Sequence, residues 1–308
     1  MQKISIIFFG THNFAATILE GLLKSPFVSV DLVITQPDRP VGREQKLQPS
    51  PVKILAQKHN LPIDQPQNLK NYELRVTSYG LHLAIVAQYG LLIPENIINA
   101  PKLGTLNIHT SLLPKYRGAS PIQSALINGE KKTGVTIMKM DKGLDTGPIL
   151  LQKTLKISSD DTYTILDEKL AKIGLQALTE ALPKYIQGKL KPKPQKNAKA
   201  TACKQLTRED GKIDWNKPAQ EIYNLYRGLT PWPGVWTQWE NKRLKLLRIQ
   251  PANRKLGSGQ VAVENDKIFI GCDKKSIEVL ELQLEGKKAT TAKMFINGHQ
   301  NIDDTMLK

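Results

Sequence analysis

The first half of the chain alternates short apolar runs with amphipathic segments, and this alternation limits the possible folds more than any other feature. The patterns predict strands at "ISIIFF" (4–9), "SVDLVITQ" (29–36), "LPIDQ" (61–65), "HLAIVAQY" (82–89), "GTLNIHT" (104–110) and "GVTIMKM" (134–140). They predict helices at 14–24, 51–59, 120–128 and roughly 162–187. Strands that alternate with helices favour crossover connections and a mainly parallel sheet covered on both faces. The prediction is therefore an α/β domain of the Rossmann-like type.

The second half has a different pattern, with short strand-like runs separated by glycine. These runs are "LKLLRIQ" (244–250), "GQVAVE" (259–264), "KIFIGC" (267–272) and "SIEVLELQLE" (276–285). Repeated short strands with turn signals are typical of a small β-barrel, here of the OB-like kind. The 308 residues are enough for two domains. We therefore expect an N-terminal α/β domain over 1–187, a Lys/Pro linker over 188–204 and a C-terminal β-barrel over 205–308.

Positive charge is concentrated between the two predicted domains. The formal net charge is +16, of which residues 1–183 carry +5 and residues 205–308 carry +4. The remaining segment, "KYIQGKLKPKPQKNAKATACK" (184–204), has seven lysines and no acidic residue. Such a block favours polyanions such as phosphate backbones, although a solvated linker would have the same composition. The lysines that we consider as RNA contacts are Lys189, Lys191, Lys193 and Lys196.

Composition narrows the class of protein. The hydrophobic fraction of 40% and charged fraction of 23% are those of a folded globular chain. The apolar run near residue 4 is too short for a signal-peptide core or a membrane span. Two cysteines, Cys203 and Cys272, give neither a disulfide framework nor a multi-cysteine zinc site. We expect a cytoplasmic protein, and a monomer because no repeat or coiled-coil pattern is present.

The stretch "LNIHTSLLPKYRGASPIQ" (106–123) places unusual polarity at the end of an apolar strand. Asn107 and His109 are two residues apart, so on a strand they share one face about 7 Å apart. An amide donor can polarise a carbonyl while an imidazole moves a proton, which suits acyl-type chemistry. The Gly-rich "MDKGLDTGPI" (140–149) follows the next predicted strand and supplies Asp141 and Asp145 as carboxylates to orient the imidazole.

Other interpretations of these residues remain open on spacing alone. A lone His at a strand end is more often a structural hydrogen-bonding residue, and Asn or Asp is often a turn former. His109 has no second His at ligand spacing, so no metal site is expected. "GTHNFA" has one glycine where a dinucleotide-binding loop has three. Ser111 lacks the Gly-x-Ser-x-Gly turn of serine hydrolases.

Taken together, "LNIHTSLLPKYRGASPIQ" and "GVTIMKMDKGLDTGPIL" resemble the signature of the folate-dependent formyltransferases: an Asn-x-His pair, a Ser-Leu-Leu-Pro turn and an Asp in a Gly-rich loop. The resemblance extends to "GTHNFAATILEGLL", "QYGLLIP" (88–94) and "LTPWPGVWT" (229–237). "TQPDRPVGREQKLQPSPVK" (35–53) and the C-terminal half are similar to the members that act on tRNA. The resemblance covers about residues 4 to 300.

The resemblance implies a role for each matching position. Asn107 would hold the formyl oxygen, His109 and Asp145 would move the proton, and Arg43 would engage the acceptor end of the tRNA. The folate co-substrate would be bound by Ser111, Leu112, Leu113, Pro114, Gln88, Tyr89, Gly90 and Leu91. Two departures are His12 with Asn13, where the family often has Pro and an acid, and Gln88, which replaces a common Ala.

The activity implied is transfer of a formyl group from 10-formyltetrahydrofolate to the α-amino group of methionine on initiator methionyl-tRNA, without a metal. Formyltransferases for glycinamide ribonucleotide resemble only the first domain. Those for amino-sugar nucleotides have a second domain, but the 35–53 segment and the basicity favour tRNA. A non-catalytic RNA-binding protein would leave the presence of Asn107, His109 and Asp145 together unexplained.

Overall fold

The computed structural model describes residues 3–41, 45–74 and 80–308. The chain forms two compact units. The first contains Met1–Pro121, Lys132–Lys156 and Asp167–Lys204, and the second contains Ile122–Lys131, Ile157–Leu166 and Gln205–Lys308. This division differs from the continuous boundaries expected from the sequence, because two short segments of the first half pack within the second unit.

The first half folds in the predicted order of strands and helices. Its elements are β1 (Ile4–Gly10), α1 (Asn13–Leu23), β2 (Val28–Ile34), β3 (Arg39–Val41), β4 (Lys46–Gln48), α2 (Pro51–Lys58), β5 (Ile63–Asp64), β6 (Leu83–Ala87), α3 (Glu95–Asn99), β7 (Thr105–His109), β8 (Arg117–Gly118), α4 (Pro121–Ile127), β9 (Lys132–Lys139), β10 (Ile149–Lys156), α5 (Tyr163–Ile186) and β11 (Ala202–Cys203). Helix α2 begins where the Ser50 hydroxyl accepts a hydrogen bond from the Lys53 amide, with Pro51 in the first turn. Both features are typical of helix N-termini.

A seven-stranded sheet with the order β10-β9-β7-β6-β1-β2-β5 forms the centre of the first unit. The ladders among β5, β2, β1, β6 and β7 are parallel, which confirms the mainly parallel α/β prediction. On β1, Ile7 and Phe9 belong to a cluster with Leu32 and Ile34. The alternate residues Ile6 and Phe8 are also fully buried, so both faces of the sheet are covered.

One strand, β9, runs against the rest of the sheet, and the edge strand β10 beyond it has the same direction as β7. β9 pairs antiparallel with β7, placing Lys139 opposite Leu106, and β10 pairs antiparallel with β9. The end of β9 therefore lies beside the beginning of β7. The loop that follows β9 must pass along β7 before β10 begins, and this loop contains Asp145.

The Lys/Pro segment is bound to the first unit. Lys193 and Ile149 exchange two backbone hydrogen bonds of 2.8 Å. Strand β11, further along the segment, pairs parallel with β8, which lies in the loop after β7. The segment is thus fixed at two places beside the residues that the sequence singles out.

The C-terminal part of the second unit contains α6 (Ala219–Leu229), β12 (Val235–Trp239), β13 (Lys242–Ala252), β14 (Val261–Glu264), β15 (Lys267–Gly271), β16 (Ser276–Leu284), β17 (Thr290–Thr291) and α7 (Ala292–Gly298). The strands form one antiparallel sheet in the order β12-β13-β16-β15-β14, with β17 on β16. Its core includes Trp215, Trp239 and Phe295.

The predicted closed barrel is not confirmed. Among the described residues no strand ladder joins β12 to β14. Instead the C-terminal segment bonds to both: Lys308 exchanges two backbone hydrogen bonds with Gln238, and the Leu307 amide donates to the Gly259 carbonyl just before β14. Across the described part of the chain, no helix has the length and apolar character needed to cross a membrane.

Candidate active site

The structure brings together the three polar side chains that the sequence singles out. The Asn107 Nδ2 atom is 3.3 Å from Asp145 Oδ1, and the His109 Nδ1 atom is 3.5 Å from Asp145 Oδ2. The side chains of His109 and Asp145 are only 6% and 11% exposed, so solvent screens their interaction weakly. β7 places Asn107 and His109 on one face, and the loop between β9 and β10 places Asp145 opposite both.

The imidazole of His109 is held from two sides. Its Nε2 atom is 2.9 Å from the Tyr116 carbonyl oxygen, and its Nδ1 atom faces the Asp145 carboxylate. Both ring nitrogens therefore face oxygen acceptors, and a ring with a proton on each nitrogen satisfies both. The geometry suits a group that delivers a proton.

Asp145 is held in an unusual conformation. Its φ is +52°, in the left-handed region where Asn, Asp and Gly are the tolerated residues. The Gly118 amide donates a 2.9 Å hydrogen bond to its Oδ2 atom. Gly147 is needed nearby because a Cβ atom there would overlap the Lys139 carbonyl oxygen. The second predicted carboxylate, Asp141, instead accepts hydrogen bonds from the Gly143 amide and the Thr146 hydroxyl, which shape the loop.

The predicted folate-binding turn 111–114 is partly inside the core. Ser111 and Leu113 are buried, and the Ser111 hydroxyl donates to the Lys115 carbonyl at 2.6 Å. Thr136 on β9 fixes the turn, because its hydroxyl donates to the Ser111 carbonyl and accepts from the Leu113 amide. Leu112 and Pro114 remain partly exposed. Within the turn 111–114, therefore, only the side chains of Leu112 and Pro114 are accessible to a ligand.

The other predicted folate-binding segment, 88–91, follows β6. The Tyr89 side chain is buried, and its carbonyl accepts hydrogen bonds from Thr11 and Gln36 at 2.8 and 2.6 Å. Gly90 is exposed with a φ of +82°, and Leu91 is partly exposed. The Gln88 Oε1 atom is buried with no hydrogen-bond partner among the described residues. An unsatisfied acceptor of this kind fits a polar ligand such as a pteridine.

Gln88 also contacts a buried acid. Its Nε2 atom donates a 2.7 Å hydrogen bond to Asp167 on α5. Burial raises the pKa of the Asp167 carboxyl, and the hydrogen bond from Gln88 opposes this effect in part. An ionised Asp167 therefore costs the folded protein stability at neutral pH.

We expect Asp167→Asn to be more stable than the wild type at pH 7, with a difference that vanishes toward acid. A folded-state pKa above the unfolded value contributes stability below the unfolded pKa, and that stability is lost as pH rises through the folded pKa. Melting temperatures measured between pH 4 and pH 8 check this expectation. Glu73→Gln, at an exposed acidic residue that does not affect the pKa of Asp167, is the matched control. A variant less stable than the wild type at pH 7 would contradict the expectation.

Of the residues predicted to contact tRNA, the structure describes the four lysines of the Lys/Pro segment. The side chains of Lys189, Lys191, Lys193 and Lys196 are all exposed, and they lie on both sides of the point where the segment is hydrogen-bonded to Ile149. Arg43 lies outside the described residues. Among the described residues no cluster of three or more His, Cys, Asp or Glu side chains is arranged to hold a metal ion.

Sequence reasoning missed the residues that support Asp145. Gln195, in the Lys/Pro segment, donates hydrogen bonds to the carbonyls of Asp145 and Gly147, and it accepts two from Arg117. Arg117 also donates to Asn197. Gln195 lies 50 positions from Asp145 in the chain, in a segment whose composition signals only charge. No local pattern could have found this contact.

Comparisons with known proteins agree with these features. The formyl transferase family model matches residues 2–182, and the model of the formyl transferase C-terminal domain matches residues 205–300. The chain is 43% identical over 297 residues to the methionyl-tRNA formyltransferase of Thermodesulfovibrio yellowstonii, covering 96% of each chain. It is 40% identical to that of Staphylococcus aureus, covering 96% of this chain and 97% of the relative.

Solved structures share the fold at lower identity. The sugar 3N-formyl transferase WlaRD, crystallised with dTDP and 5-N-formyl-THF, has a TM-score of 0.66 and 24% identity over 94% of this chain and 100% of its own. HypX from Aquifex aeolicus, in complex with tetrahydrofolic acid, has a TM-score of 0.63 and 16% identity over 99% of this chain and 49% of its own. With both domain models matched in order and relatives above 40% identity across nearly the whole chain, the protein belongs to the formyl transferase family, in the group of the methionyl-tRNA formyltransferases.

Proposed function

We infer that the protein transfers a formyl group from 10-formyltetrahydrofolate to the α-amino group of methionine on initiator methionyl-tRNA, for translation initiation. The observation that carries this proposal is the 43% identity to a methionyl-tRNA formyltransferase over 96% of both chains, which includes the second domain. The meeting of Asn107, His109 and Asp145 supports it independently.

Asn107 is proposed to bind the formyl oxygen. Its amide nitrogen has two hydrogens. One is donated to Asp145 Oδ1 at 3.3 Å, and the other is available for a hydrogen bond to a substrate. As the amine attacks the formyl carbon, negative charge builds on the oxygen. A donor fixed in advance stabilises that charge better than water can.

His109 is proposed to deliver the proton to the departing folate nitrogen. The new bond joins the amino nitrogen to the formyl carbon, the bond from the folate nitrogen to that carbon breaks, and the proton lost by the amine replaces the one donated. His109 Nδ1 faces Asp145, so Nε2 is the nitrogen that exchanges its Tyr116 acceptor for the substrate. The Asp145 carboxylate stabilises the positive charge of the ring.

The folate co-substrate is proposed to lie between segment 88–91 and the turn 111–114. The unsatisfied Gln88 Oε1 atom and the partly exposed Leu112 and Pro114 support this placement. Gly90 has no Cβ to obstruct a flat ring, and at its φ of +82° only glycine is free of strain. The folate supplies the activated formyl group, and the protein supplies position and polarity.

A direct comparison of acceptors tests the proposed function. The purified protein is given 10-formyltetrahydrofolate with charged initiator tRNA, glycinamide ribonucleotide or an amino-sugar nucleotide, and formylated product is measured. We expect kcat/KM to be highest for the charged tRNA. Preference for either small acceptor would overturn the tRNA assignment while leaving the formyltransferase family intact.

The exposed lysines of the Lys/Pro segment are proposed to bind the phosphates of the tRNA. Binding would release counterions, so affinity falls as salt rises, with a slope set by the number of contacts. Reversing the four charges at Lys189, Lys191, Lys193 and Lys196 is expected to raise the KM for tRNA about tenfold at low salt and to flatten the salt slope. Kinetics from low to moderate salt concentration measure both quantities.

The control reverses four exposed charges elsewhere on the first unit, so that net charge is matched. Suitable positions are Lys24, Lys58, Lys70 and Lys102. Equal changes in the two variants would mean that only net charge matters, and would contradict a binding role for the segment.

We further propose a monomeric protein that acts in the cytoplasm, where its tRNA substrate is charged. Light scattering of the purified chain tests the monomer.

A further inference from the structure

The Lys/Pro segment lies directly against the loop that carries Asp145. Lys193 exchanges backbone hydrogen bonds with Ile149, immediately after this loop, and β11 pairs with β8. Gly118 of β8 must be a glycine, because a Cβ atom there would overlap the Cys203 carbonyl oxygen. Gln195 lies between these two attachments, so the backbone around it is fixed.

The amide of Gln195 uses its full hydrogen-bonding capacity at this place. Its Nε2 atom donates to the carbonyl oxygens of Asp145 and Gly147 at 2.8 and 2.7 Å. Its Oε1 atom accepts from Arg117 Nε and Nη2 at 3.1 and 2.7 Å. Arg117 precedes Gly118, whose amide donates to the Asp145 carboxylate. Gln195 thus contacts both the backbone of Asp145 and the strand that binds its carboxylate.

Asp145 needs such support because of its backbone. A non-glycine residue at a φ of +52° is held there by its surroundings and not by its own preference. Without the two hydrogen bonds from Gln195, the Asp145 carbonyl and the Gly147 carbonyl would have to find other donors. The loop would then relax, and the carboxylate would leave its place between Asn107 and His109.

We propose that Gln195 is a positioning residue for the formyl-transfer reaction, which holds the main chain of Asp145 so that its carboxylate faces His109 and Asn107. The proposal rests on the role inferred above for Asp145. It assigns to the segment between the two matched domains a part in the chemistry, in addition to its charge. The hydrogen bonds of the Gln195 side chain go to Asp145, Gly147 and Arg117, and none goes to the imidazole or the Asn107 amide.

The first test compares Gln195→Ala and Gln195→Glu with the wild type. Both substitutions remove the Nε2 donor to the Asp145 and Gly147 carbonyls. Gln195→Glu keeps the side-chain length and an acceptor for Arg117, so a loss of activity in this variant is not explained by misfolding of the segment. We expect kcat to fall about 10- to 100-fold in both, with the KM values for folate and tRNA changed less than about threefold. Asn197→Ala is the control, since it removes one acceptor of Arg117 and leaves the Asp145 loop untouched. We expect its kcat to stay within about twofold.

A double-mutant cycle with Asp145→Asn provides the readout that a merely structural role would not give. If Gln195 acts through the carboxylate, adding Gln195→Ala to Asp145→Asn lowers kcat by less than about threefold further. Multiplied losses, an unchanged kcat in the single variants, or a change confined to KM would each overturn the proposal. Formylation by the wild type in the same assay separates this outcome from failure of the proposed function itself.

Discussion

Asp145→Asn is expected to lower kcat for formyl transfer by about 10²- to 10³-fold, with little change in KM. The carboxylate faces His109 Nδ1 at 3.5 Å and accepts from Asn107 Nδ2 at 3.3 Å. Removing its charge takes away the carboxylate that is proposed to stabilise positive charge on the imidazole, in a site where both side chains are almost fully buried. The amide of Asn also carries an NH₂ group, which would place a hydrogen-bond donor against Asn107 Nδ2 or His109 Nδ1, where the carboxylate provides acceptors.

Asn is the informative replacement at this position because of the backbone. Asn tolerates the left-handed region, whereas Ala at a φ of +52° adds roughly 1–2 kcal/mol of strain that has nothing to do with charge. Lys142→Ala, on an exposed side chain of the same loop, serves as the control and should retain normal kinetics. Steady-state rates over the range of both substrates, with melting temperatures, make the measurement. An Asp145→Asn enzyme within tenfold of the wild type would remove the carboxylate from the mechanism.

Asn107→Ala should produce a loss of similar size, about 10²- to 10³-fold in kcat, for a different reason. The amide is proposed to donate to the formyl oxygen as negative charge develops, so its removal raises the barrier more than it weakens binding. The substitution leaves His109 on the same strand, with its Nε2 contact to Tyr116 in place. The pH dependence of the remaining activity should therefore keep its wild-type shape.

The two variants can be told apart by that pH profile. Asp145→Asn changes the charge beside the imidazole and should shift the profile, whereas Asn107→Ala should lower it without a shift. Rates measured from pH 6 to pH 9 at saturating substrates give both curves. A shifted profile in Asn107→Ala, or near-normal turnover, would mean that the amide does not act as an oxyanion donor.

The sequence predicted the parallel part of the sheet well because its buried strands are nearly continuous apolar runs. The residues of β6, for example, are all buried, and the pattern marks the strand without ambiguity. Strand direction is a different matter. β9 is also largely buried, but nothing in its residues indicates that it pairs antiparallel with β7, because strand direction depends on how the chain between the two strands packs. Sequence reasoning missed β10, whose residues alternate between partly buried and exposed as an edge strand does.

The residues of the candidate site also differ in how far the sequence could predict them. Asn107 and His109 could be predicted as neighbours because they share one face of a single strand. Asp145 could be predicted from the resemblance, but its contact with both follows from the antiparallel turn back along β7. Gln195 could not be predicted, because its contacts join segments about 50 residues apart through side-chain to backbone hydrogen bonds.

The most direct test of the whole account is formyl transfer by a triple variant, Asn107→Ala/His109→Ala/Asp145→Asn, in a single turnover with 10-formyltetrahydrofolate and initiator methionyl-tRNA. We expect this variant to bind the charged tRNA within about threefold of the wild-type affinity and to transfer the formyl group more than about 10³-fold more slowly. Transfer within about tenfold of the wild-type rate, with tRNA binding intact, would show that the reaction takes place elsewhere in the protein.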